Sequence, residues 1–94
     1  MNHYLSVLVP LPEGGWRAHF PDFPGCRAEG RTVEAAIDAA MAAVADHARS
    51  ITSRGRHLPT PQTFEEVRHG SNGWAAERGI DWSNTIVSLV RLAV

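Results

Sequence analysis

The sequence predicts an α+β domain with the element order β-β-β-α-(short α)-β, a sheet ordered 3-2-1-4 and the main helix on one face. Three observations lead there. Two period-two stretches flank "PLPEGG"; a long alanine-rich stretch repeats its apolar residues at helical spacing; and the chain closes on an apolar run rich in valine, isoleucine and leucine. The 94 residues fit one domain, taken as 1–94. A chain of this size buries roughly 60–65% of its unfolded surface, enough for one modest core.

His3 to Leu11 alternates, with Leu5, Val7, Val9 and Leu11 on one face and Tyr4, Ser6 and Leu8 on the other. "PLPEGG" stops this first strand with turn residues. Trp16, Ala18 and Phe20 then alternate against Arg17 and His19, giving a second strand with one drier and one wetter face. "FPDFPGC" follows, and Cys26 to Gly30 reads as a short third strand with Arg27 and Glu29 facing out. Pro21, Pro24 and Gly25 are read as structural turn residues. Pre-set φ angles at the prolines lower the entropy lost in leaving strand two and re-entering the sheet, and Gly25 is expected at positive φ.

Thr32 is the expected N-cap of the main helix, with Glu34 near the positive end of its dipole. Val33, Ala36, Ile37, Ala40, Met41, Val44, His47 or Ala48, and Ile51 form its apolar stripe; Glu34, Asp38 and Arg49 lie opposite. Gly55 is the expected C′ residue. "HLPTPQ" is an extended connector, because each residue before a proline is pushed out of helical geometry. Thr63 and Glu66 form a capping box for one or two helical turns ending at Gly70. A further turn is expected around Trp74 to Glu77. Thr85 to Ala93 is the last strand, expected to be mostly buried and to lie parallel beside strand one through a right-handed crossover.

Composition limits the function. The formal net charge is −1, so nothing favours nucleic acid, which calls for a basic stripe. One cysteine excludes an internal disulfide framework. "MNHYLSVLVP" lacks the pattern of a signal peptide, and no apolar run approaches the roughly 20 residues of a membrane helix, so a cytoplasmic protein is expected. The five histidines show no recognisable ligand spacing, and neither metal nor cofactor is expected. His47 is expected to be half-buried and hydrogen-bonded, and Cys26 to be a buried, inert thiol. Strands one and four carry no acid, so the carboxylate cluster of a metal-dependent nuclease is missing and no enzyme is expected.

The ordered motifs carry a resemblance. Trp16, Pro21, Asp22, Pro24, Gly25, Gly30, Thr32, Glu34, Ala35, Gly55, Leu58, Pro59 and Pro61 fall where the HicB-like antitoxins have a tryptophan-led strand, a Pro-Asp-x-Pro-Gly turn, a glycine before a threonine, a Glu-Ala helix start and a Gly-x-x-Leu-Pro-x-Pro exit. The chain resembles that family over roughly residues 3 to 61. The resemblance implies a partial RNase H-like fold and an antitoxin of a type II system that neutralises a HicA-type mRNA-cleaving toxin by masking its active site. Family members often carry a C-terminal DNA-binding domain. These residues show none after the last strand, so no direct DNA binding is expected. The alternative is a solitary HicB-like oligomeric scaffold or regulator without a toxin.

Asp22, Phe23, Glu29 and Glu34 are the candidate toxin contacts, although Asp22 reads first as a turn stabiliser. An Asx-turn would need the N–H two residues on, and residue 24 is proline. The carboxylate is therefore expected to reach the Gly25 or Cys26 N–H or a neighbouring strand. Trp74 and Trp82 either cover the second face of the sheet or sit in an interface. A homodimer is expected, with Trp74, Trp82, Leu89 and Val90 at the contact, because an open, nearly uncharged edge strand invites pairing.

Overall fold

The computed structural model describes residues 2–70 and 73–92. Three strands come first, β1 (Asn2–Pro10), β2 (Trp16–His19) and β3 (Arg27–Gly30), followed by the helices α1 (Val33–Ser53), α2 (Phe64–His69) and α3 (Trp74–Glu77). A 3₁₀ turn over Trp82–Asn84 leads into β4 (Ile86–Leu92). The sheet order is β3-β2-β1-β4. Ala93, the expected last residue of the final strand, lies outside the described residues.

One expectation about direction fails. β4 runs antiparallel to β1, with Tyr4 opposite Val90 and Leu5 opposite Leu89. The reason lies in the connector. The segment from α2 to the 3₁₀ turn lies against the sheet face opposite α1: Val67 and Trp74 form a cluster with Leu5 and Val7, joined by Phe64, Ala75, Ile80 and Trp82. A second crossing of the sheet reverses the chain once more before β4 begins. The crossover rule therefore has no parallel return to act on.

β1 packs apolar residues on both faces of the sheet, as its alternation requires. Tyr4 and Leu8 face α1 with Ala18, Phe20, Phe23, Cys26, Val90 and Leu92, while Leu5 and Val7 face the connector. The buried stripe of α1 is Ala36, Ala40, Val44 and Ala48. Small side chains there let the helix lie close to the strands. Met41, expected in the stripe, is 46% exposed.

The local signals act as expected. Thr32 accepts a hydrogen bond from the Ala35 N–H at 3.0 Å. α1 ends in a Schellman arrangement, with the Gly55 N–H on the Thr52 carbonyl and the Arg56 N–H on the Ile51 carbonyl. Both halves of the Thr63–Glu66 capping box form, at 2.9 and 3.2 Å.

Candidate partner-binding surfaces

The Pro-Asp-Phe-Pro-Gly stretch is two consecutive turns. The Phe23 N–H donates to the Phe20 carbonyl at 3.2 Å, and the Cys26 N–H to the Phe23 carbonyl at 3.0 Å. In the second, Pro24 occupies the first central position and Gly25 the second at φ +86°, the requirement of a type II turn. Phe23 is fully buried, edge-on to Tyr4 at 4.7 Å and to His47 at 5.6 Å. The half-buried His47 is thus held by an aromatic contact, with no side-chain hydrogen bond among the described residues.

Asp22 does not bond its own turn. Its carboxylate accepts the Gln62 backbone N–H at 3.2 Å and the Gln62 side-chain amide at 3.0 Å, a link across 40 positions. Nearby the Tyr4 hydroxyl donates to the Pro59 carbonyl at 2.7 Å. The turn motif and the Leu-Pro-x-Pro exit therefore meet in space, and Asp22 is the clasp between them. Burial pushes its carboxyl above the usual range, opposed by the Gln62 hydrogen bonds and aided by nearby Glu66.

The expected site residues separate by burial. Asp22 and Phe23 lie inside, whereas Glu29 and Glu34 are exposed on β3 and in the first turn of α1. Trp74 is buried against Leu5 and Val7, so it covers the second face of the sheet instead of projecting from it. Trp82 is partly buried, with Phe64 edge-on at 5.6 Å. Val90, expected at a dimer contact, is 1% exposed and packs on the α1 side. Leu89 is 61% exposed, and Ile86 and Val87 are also open. The last strand is thus far less buried than expected: the connector leaves Val87 and Leu89 uncovered on its face, and Ile86, opposite Leu8, is open on the α1 face.

The face away from α1 carries a second feature, on β2 and β3. Arg17 and Glu29 pair across the strands at 2.8 Å. Beside them a cleft of about 390 Å³ is lined by His19, Phe20, Gly25, Cys26, Arg27, Glu77 and Arg78. The sequence placed His19 and Arg27 on the wetter face but gave no sign that Arg78 would join them. The available signal is the Trp74–Arg78 spacing, which stacks the guanidinium on the indole at 4.8 Å. Among the described residues, no group of three or more His, Cys, Asp or Glu side chains is placed to hold a metal, and no helix is long and apolar enough to cross a membrane.

The family model described as "HicB_like antitoxin of bacterial toxin-antitoxin system" matches residues 5–92. The Burkholderia pseudomallei antitoxin HicB is similar in structure, with a TM-score of 0.77 at 19% identity, covering 100% of this chain and 65% of that one. This chain thus spans just under two thirds of that relative's length. A toxin-antitoxin complex from Streptococcus pneumoniae matches with a TM-score of 0.78 at 15% identity, over 98% of this chain and 69% of that one. A chain of a HicA3–HicB3 toxin-antitoxin complex matches at 25% identity and TM-score 0.65, over 99% of this chain and 100% of that one. No curated protein sequence matches.

Proposed function

This chain belongs to the HicB-like antitoxins of bacterial toxin-antitoxin systems, and from that premise we propose that it is the antitoxin of a type II pair. Its partner is a HicA-type, mRNA-cleaving toxin, which it binds in the cytoplasm and silences by covering the active site. The observation that carries this reading is the family match, which spans both the turn-and-exit clasp and the terminal strand. We read the sheet with α1 as the partial RNase H-like scaffold, acting as a binding protein and not as an enzyme.

Glu29 and Glu34 are our toxin-facing residues. A toxin that grips RNA presents a basic surface, and exposed carboxylates on an edge strand and at a helix start complement it. Asp22 and Phe23 support that surface from beneath, by fixing the turn that feeds β3. We also assign the exposed flank of β4 to a homodimer, centred on Leu89 with Val87.

Co-expression with the short reading frame beside its gene tests the toxin reading. The antitoxin should rescue growth, co-purify with the product and stop its RNA cleavage. Replacing both Glu29 and Glu34 by Gln should weaken the complex, at a cost to stability of about 1 kcal/mol or less from the exposed Arg17–Glu29 pair. An adjacent product that is non-toxic, or one left active by a saturating amount of this chain, would refute the pairing.

A further inference from the structure

The cleft between the β2–β3 face and α3 gathers basic side chains from three separate elements. His19 comes from β2, Arg27 from β3, and Arg78 caps α3, whose Glu77 is the single acid in the lining. The two arginines have little to neutralise them. Arg27 has no ion pair among the described residues. Arg78 sits 3.9 Å from Glu77, while its guanidinium lies over Trp74 and donates to the Trp74 carbonyl at 3.2 Å. Arg17, the remaining cation of this band, is already paired with Glu29. An arginine held on a ring and a backbone carbonyl is pre-oriented, which lowers the entropy lost when it binds an anion.

His19 is the third donor. Its ring meets the edge of Trp74 at 6.3 Å. Burial, and then Arg17, Arg78 and Arg27, push its pKa down, so near neutrality it is an uncharged imidazole among cations. An anion placed between the arginines would reverse that balance and favour the protonated ring.

We propose that this cleft binds a phosphate group, as free phosphate or as the terminal monoester of a small phosphorylated molecule. A carboxylate offers two oxygens and satisfies one guanidinium. A phosphate monoester offers three free oxygens and close to two negative charges, matching two arginines and an imidazole. The shape is that of a point site: the surrounding face carries Glu29 and Glu77, and the chain's net charge is −1, so no basic track extends from it for a nucleic-acid backbone. This assignment is independent of the toxin reading.

Amide and imidazole NMR of the whole chain tests it, with inorganic phosphate and adenosine monophosphate as separate probes and chloride at matched ionic strength as the control. Saturable shifts are expected at His19, Cys26, Arg27 and Arg78, with the His19 titration moving to higher pH in the bound form. Arg27→Ala and Arg78→Gln should each weaken binding about tenfold. Arg27 is exposed, so its variant decides the matter should loss of the Arg78–Trp74 contact disturb the fold. Equal affinity for the two probes would assign the site to the phosphate group alone; tighter binding of the nucleotide would assign it to a larger phosphorylated ligand. Absence of saturable shifts up to about 20 mM probe, or binding undiminished in Arg27→Ala, would overturn the proposal.

Discussion

A Cβ placed on Gly30 would sit 2.3 Å from the Ala36 backbone nitrogen and 2.8 Å from its Cα. The first turns of α1 press directly onto the end of β3, and backbone atoms have nowhere to move. Gly30→Ala is expected to cost roughly 1–3 kcal/mol or more, read as a lowered midpoint in denaturant. Asp22 presents the opposite problem, a buried charge that is partly satisfied. Asp22→Ala removes the acceptor for the Gln62 N–H and should cost about 1 kcal/mol. Asp22→Asn keeps an acceptor and removes the charge. Because the folded pKa of Asp22 is raised, the protonated acid is favoured in the fold. Its contribution is fully present below the unfolded pKa and is lost as pH rises through the folded value. Relative to Asp22→Asn, the natural protein should therefore gain stability as pH falls from neutrality into the carboxylate range. Denaturation of both proteins across that range measures the difference, and a natural protein that loses stability relative to Asp22→Asn on acidification would contradict it.

At the scale of elements, the double turn between β2 and β3 shows how a loop becomes structural. Pro24 pre-sets φ at one central position and Gly25 supplies φ +86° at the next. A Cβ at Gly25 would meet nothing within 4 Å, so steric space is not the constraint. The cost of Gly25→Val is backbone strain alone, for a β-branched residue held at positive φ. A loss of roughly 1–3 kcal/mol is expected, measured as a lowered melting temperature, and an unchanged value would show the turn tolerates another geometry. α1 makes a complementary point. Its stripe is alanine apart from Val44, so its value lies in close approach more than in bulk.

For the whole molecule, the unequal cover on the two faces of the sheet matters most. α1 covers one face, while the connector covers β1 on the other, with Trp74 reaching His19 of β2, and leaves Val87 and Leu89 of β4 open. β4 is also an edge strand, so its outer backbone groups lack a strand partner among the described residues. The proposed dimer joins two such edges. Leu89→Lys should shift the chain to a monomer in light scattering at high micromolar concentration, with little change in melting temperature, because Leu89 is 61% exposed. Val90→Lys is a poor test, since Val90 packs beneath α1 and its loss would unfold the protein. A natural protein that stays monomeric, or a Leu89→Lys variant that stays dimeric, would place the contact elsewhere.

Local chemistry was legible in the sequence. Period-two alternation set β1 and β2, Thr32 and the Thr63–Glu66 box set helix starts, Gly55 set a helix end, and Pro24-Gly25 set the turn. Each depends on residues within one turn or one strand of each other, so spacing alone carries the information. The order of the first three strands followed as well, because short turns place consecutive strands side by side, and β4 took the expected place beside β1 but not the expected direction. Long-range geometry was not legible. Nothing local marks Gln62 as the partner of Asp22, brings Arg78 beside His19 and Arg27, or reverses β4. The run "TIVSLVRLA" is apolar on both faces, which signals that both could be covered but not by what. Only the path of the connector across the sheet decided which apolar residues are buried and which stay open, because burial depends on the tertiary neighbour and not on the side chain itself.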